Sequence, residues 1–94
     1  MDSPSVAKFE VTDHFEIRKR GGVVAGLIRA GTIKIGCSLR LPSGHYWTIK
    51  AIESVDNLSE RTHRTALLFR ERPSRMDVER AFPKGALIEV YDAA

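Results

Sequence analysis

The sequence predicts an all-β fold, a six-stranded antiparallel Greek-key-type closed β-barrel. Three observations lead there. Apolar residues recur at a spacing of two in short runs between Phe9 and Tyr91, the period of half-buried strands. Turn residues punctuate those runs at near-even spacing, at "RKRGG", "AGT" and "PSG", with almost no helical pattern between them. The chain is also short, at 94 residues. A flat sheet of that size leaves two edges and an uncovered apolar face, whereas closure removes the edges and buries one parity throughout.

Met1 to Ala7, rich in Ser, Pro and Asp, reads as a loose leader. Residues 8–92 read as the single barrel domain and 93–94 as a tail. The first strand runs from Phe9 to Ile17, with Phe9, Val11, Phe15 and Ile17 on one parity. Asp13 interrupts that apolar parity, which places a bend or bulge beside it. "RKRGG" is a turn in which Gly21 or Gly22 takes positive φ. Val23 to Arg29 forms the second strand. The third gathers Ile33, Ile35, Cys37, Leu39 and Leu41 around an interruption at Gly36. "PSG", Pro42 to Gly44, turns the chain into a fourth strand, His45 to Val55, where Trp47 and Ile49 share a face and a bulge rephases Ile52. "DNLSERTHR" is a polar loop, Thr65 to Phe69 the fifth strand, and "RERPSRMDVER" a charged excursion with one helical turn around Met76 to Arg80. Leu87 to Tyr91 closes the barrel.

An apolar content of 43% with 29% charged residues is that of an ordinary globular chain. No apolar run approaches the roughly 20 residues of a membrane helix, and "MDSPSVAK" carries no signal-peptide pattern. The lone Cys37 forms no internal disulfide and suits a reducing cytoplasm, so the expected location is cytoplasmic. A net charge of +3 and a pI near 9.4 tilt the chain towards acidic partners such as RNA.

The stretch from Arg20 to Gly36 holds five glycines. A phosphate-binding loop needs a strand, a glycine-rich turn and then a helix, and here another strand follows. These glycines therefore read as structural: Gly22 and Gly31 at turns, Gly26 and Gly36 where a strand coils sharply or a neighbour crosses close. No nucleotide is expected on this chain, and no cofactor.

The block from Phe9 to Leu41 resembles the second, β-barrel domain of the translational GTPases, the domain found in elongation factor Tu and its relatives. The resemblance rests on Val11, Asp13, Phe15 and Ile17, then "RGGVVAGLI" from Arg20 to Ile28, Gly31, "IKIG" at Ile33 to Gly36, and Leu39. It continues through "IKAIES" at Ile49 to Ser54, "ALLFR" at Ala66 to Arg70, and Arg75 to Gly85. It implies the same barrel and contact with tRNA, the ribosome or a partner GTPase. GTP hydrolysis is excluded for this chain alone, which lacks the "GxxxxGK[ST]" loop. Three positions depart from the family's aminoacyl-adenosine pocket. Thr12 stands in place of an acidic residue, Ala25 in place of a threonine, and Arg64 in place of an asparagine. The scaffold matches; the pocket does not.

The candidate RNA- or partner-binding residues are Arg18, Lys19 and Arg20 at a hairpin end, with Arg64 and Tyr46. Loops at one barrel end can present guanidinium groups to phosphates, although solvated rims also carry such charges. Tyr46 and Trp47 are adjacent in a strand, so one ring faces the core and the other solvent, where it can stack on a base. Asp13 reads as a structural carboxylate that accepts backbone N–H groups where the first strand bends. His14, His45, His63 and Cys37 match no zinc spacing, so no metal is expected and Cys37 reads as buried and inert. No catalytic constellation is visible, and the chain reads as a non-enzyme. The expected function is a translation-factor-like binding module. The alternatives are a protein-interaction barrel with no RNA role, or one domain of a larger translation factor.

Overall fold

In the computed structural model, residues 5–57 and 62–92 are described. Their elements in chain order are β1 (Ser5–Ile17), β2 (Gly21–Gly31), β3 (Ser38–Arg40), β4 (Tyr46–Asn57), β5 (Thr62–Phe69), α1 (Arg75–Ala81) and β6 (Leu87–Tyr91). The strands close into a barrel in the order β1-β2-β5-β4-β3-β6, with every neighbouring pair antiparallel. β3, β4 and β5 form a meander, and β2 lies beside β5 by way of a connection across the barrel end, which is a Greek key. The predicted fold class is the observed one. Among the described residues no helix is long and apolar enough to cross a membrane.

The interior is filled by Phe9, Val11, Val24, Leu39, Ile49, Leu67, Phe69 and Val90, all fully or almost fully buried. A second cluster, Val23, Ala66 and Leu68 with Phe15, Ile17 and Ala51, packs apart from that core. The registers Phe15↔Val23, Val23↔Leu68 and Ala51↔Leu68 place it on the outer face of β1, β2, β5 and β4. Thus "VVA" and "ALLF" are buried on both faces of the wall, which is why they read as continuous apolar runs.

Two bulges create this arrangement. In β1, Val11 pairs with Gly26 and Asp13 with Ala25, leaving Thr12 as the extra residue. Side chains of one sequence parity therefore change face: Phe9 and Val11 point into the barrel, whereas Asp13, Phe15 and Ile17 point out. In β4 the register shifts between Ile49 and Ala51, so Ile49 and Ile52 both pack on the core. The bend at Asp13 and the rephased Ile52 both stand where the sequence placed them.

Other expectations are corrected. Ser5 to Ala7 belong to β1 rather than to a leader, since Ala7 is buried and pairs with both Gly31 and Val90. Met1–Pro4, Leu58–Arg61 and the two-residue tail lie outside the described residues. The third strand begins at Ser38, not Ile33, because Gly36 adopts φ 100° in a turn whose N–H donates to the Ile49 carbonyl, 2.8 Å. Gly36 is thus a turn residue rather than a point of strand coiling. The described residues of the "DNLSERTHR" stretch are strand, with Asp56 and Asn57 ending β4 and Thr62 to Arg64 opening β5.

The helix is longer than one turn. Ser74 caps α1: its hydroxyl accepts from the Asp77 N–H, while the Asp77 carboxylate accepts from the Ser74 N–H. The helix lies over the barrel end where β1 finishes and β2 begins, with Val78 and Phe82 as the plug. Phe82 packs on Trp47 and Phe69, ring centroids 5.7 and 6.2 Å away. His14 Nε2–H donates to the Phe82 carbonyl at 2.5 Å, tying the plug to β1.

Candidate functional site

Antiparallel closure brings residues far apart in sequence to the plugged end of the barrel. The turn Arg18–Arg20 links β1 to β2, and Arg70–Pro73 leads from β5 into α1. The start of β2, directly after the turn, touches the second segment. A Cβ on Gly21 would stand 3.0 Å from the Arg72 Cα, and the Gly22 N–H donates to the Pro73 carbonyl, 2.5 Å. On its other side the second segment is fixed to β4: the Arg70 N–H donates to the Thr48 carbonyl, 2.8 Å, and the Thr48 N–H to Glu71 Oε1, 2.8 Å.

The result is a basic rim. Arg18, Lys19, Arg70 and Arg72 are all exposed, and among the described residues none of the four forms an ion pair. Lys19 and Arg72 carry φ of 68° and 51°, the only non-glycine residues among those described with positive φ. Left-handed backbone costs a side-chain-bearing residue about 1–2 kcal/mol. Two such residues, both cationic and both on the rim, mark strain held where function commonly resides. Sequence alone groups Arg18, Lys19 and Arg20, and no local pattern joins Arg70 and Arg72 to them. Only the closure of β2 on β5 makes them neighbours of the turn.

The remaining candidates lie elsewhere. Arg20 reaches from the turn to Glu53 on β4, 2.8 Å, over the outer apolar cluster. Arg64 forms an ion pair with Asp13 on that same outer face. The Asp13 carboxylate therefore meets a guanidinium, rather than serving the expected backbone N–H groups. Tyr46 is exposed as expected, while Trp47 packs inward against Phe69, ring centroids 5.4 Å apart. Tyr46 stands away from the turn, edge-on to Tyr91 at 6.0 Å on the outside of β4.

Thr12, Ala25 and Arg64 are neighbours on β1, β2 and β5. Thr12 Oγ1–H donates to the Ala25 carbonyl, 3.2 Å, Ala25 pairs with Asp13, and Asp13 accepts from Arg64. The glycines serve packing. The space beside Gly22 is filled by Ser74 and Val78, that beside Gly26 by the Glu10 carbonyl, and that beside Gly31 by the Val6 carbonyl. Cys37 is buried. Among the described residues no group of three or more His, Cys, Asp or Glu is arranged to hold a metal ion; the side chain of His63 lies outside those described.

Fold and rim together define a class: a small closed Greek-key barrel whose plugged end carries cations without an ion-pair partner among the described residues. No protein-family model, no curated protein and no solved structure matches the chain.

Proposed function

We propose that this chain is a non-catalytic binding module of the translation-factor barrel type, and that its plugged end docks on RNA phosphates. The observation that carries the reading is the convergence of Arg18, Lys19, Arg70 and Arg72, without ion-pair partners among the described residues, on two turns joined through Gly21 and Gly22. Cations committed to internal ion pairs, such as Arg75 with Glu79 at 3.0 Å, have less to gain from a phosphate. The resemblance from Phe9 to Leu41 supports translation as the setting, and the buried single cysteine fits the cytoplasm. The interior supports a role without catalysis, because apolar side chains fill it. Arg64 is engaged with Asp13 on the outer face, away from the cations of the turns. Where the resemblance implies a pocket for an aminoacylated tRNA end, this chain carries Thr12, Ala25 and Arg64. Both support backbone contact with RNA over capture of a charged tRNA end.

The test is an NMR titration of the 15N-labelled chain with a tRNA at low salt. Amides of residues 17–21 and 69–75 shift if the reading is right. Unchanged spectra, or shifts confined to other faces of the barrel, contradict it.

A further inference from the structure

The barrel wall is least complete between β3 and β6. β6 pairs with β1 from Tyr91 to Leu87, but with β3 only at Ser38↔Tyr91 and Leu39↔Val90. Beyond Leu39 the ladder stops, and a cleft opens between Arg40, Leu41 and Pro42 on one side and Leu87, Ile88 and Glu89 on the other. Ala81 and Phe82 at the end of the plug also line it. Among the described residues the segment 87–89 thus has a strand partner on its β1 side and none on its β3 side. Leu87 is 56% exposed at the mouth. A strand edge next to apolar side chains is the geometry that accepts an extended peptide, whose main chain completes the ladder while alternate side chains enter the cleft.

Charge selects the occupant. Arg40 lines the cleft, and Arg80 and Lys84 flank Ala81 and Phe82 in the chain; none of the three has an ion-pair partner among the described residues. The one acid of the lining, Glu89, accepts from the Tyr91 hydroxyl at 3.2 Å. We propose that this seam is a docking site for an extended peptide of a partner protein, in which acidic residues alternate with apolar ones. The apolar side chains enter beside Leu41, Ile88 and Phe82, and the acidic ones meet Arg40 and its basic neighbours. The site is separate from the basic rim and goes beyond the RNA-binding reading.

The test uses a capped five-residue peptide of alternating aspartate and valine, with a lysine–valine counterpart, titrated into the 15N-labelled chain. The aspartate peptide shifts the amides of Arg40 and Leu87 to Glu89, slows their hydrogen exchange, and binds about tenfold or more tightly than the lysine peptide. Arg40→Glu removes that preference, and Leu87→Asp, on the exposed flank, weakens binding by a similar factor. Arg18→Ala with Lys19→Ala leaves peptide binding unchanged while lowering RNA affinity, so either reading can fail without the other. Unshifted seam amides at millimolar peptide overturn the proposal, as does equal binding of the two peptides. Seam shifts that depend on protein concentration without peptide also overturn it, since a second copy would then be the occupant.

Discussion

Val78 of α1 rests on the bare backbone of Gly22: a Cβ at position 22 would lie 2.8 Å from Val78 Cγ2 and 2.7 Å from the Ser74 carbonyl oxygen. The same logic is stricter at Gly26, where a Cβ would stand 1.8 Å from the Glu10 carbonyl oxygen, inside the β1–β2 ladder. At both positions the nearest atom is a backbone carbonyl oxygen, and it stands much closer at Gly26. Gly22→Ala is therefore expected to cost about 1–3 kcal/mol and Gly26→Ala more than that, both by overpacking. Gly44→Ala, in open space at φ 93°, costs only the left-handed penalty of about 1–2 kcal/mol. Urea denaturation of the three variants checks the order.

Phe82 is the centre of the plug, 1% exposed and packed on Trp47 and Phe69. Phe82→Ala is expected to destabilise by about 3–5 kcal/mol through lost burial and a residual cavity. Trp47 is the only tryptophan, so its emission should move to longer wavelength in the folded variant as water reaches the barrel end. An unchanged spectrum and midpoint would show that the helix does not seal the barrel.

Asp13 and Arg64 pair on the outer face with side chains 39% and 29% exposed. Solvent screens such a pair, and a double-mutant cycle with Asp13→Asn and Arg64→Gln should return a coupling of about 0.5–1 kcal/mol that shrinks with added salt. A coupling near zero would show that the pair does not hold the bend of β1.

Much of this fold was legible because β1 and β4 keep a period of two on either side of their bulges, while β2 and β5 stand out as short apolar runs between turn residues. The bulge in β4 was visible as the change of parity from Ile49 to Ile52, and the bend of β1 as a carboxylate, Asp13, on an apolar row. What the row could not show is its change of face. Phe9, Val11, Phe15 and Ile17 share a parity in sequence, yet the unpaired Thr12 sends the first two inward and the last two outward. Nor does local pattern reveal that Val23 and Leu68 need cover on the outside, since that follows from pairing across β2 and β5. The rim was half legible for the same reason: Arg18 to Arg20 cluster in sequence, whereas Arg70 and Arg72 join them only through closure. The open seam between β3 and β6 depends on how early β3 ends, which Pro42 hints at but does not fix.

Tyr91 supplies a pH test of the seam's flank. Partial burial of its ring, and then the Glu89 carboxylate to which it donates, raise its hydroxyl above the ordinary tyrosine value of 10.0, with Tyr46 adding to the rise and Arg40 opposing it. A raised value in the folded state means that the neutral phenol is preferred there. Its contribution to stability is complete below the ordinary value and is lost as pH climbs through the raised one. Titration of the Tyr91 ring by NMR should show this elevation, and Glu89→Gln should bring it down. Ionisation at or below the ordinary value would contradict the contact.

The most direct test of the central claim is the salt dependence of RNA binding. Wild-type affinity for a tRNA should fall linearly on a log–log plot against salt, as counterions released by neutralised phosphates require. A variant with Arg18, Lys19, Arg70 and Arg72 all changed to alanine should bind more weakly and with a shallower slope by up to about four contacts. A variant of the ion-paired Arg29 and Arg75 should keep the wild-type slope. Equal slopes for the wild type and the rim variant would contradict the assignment of this end of the barrel to RNA.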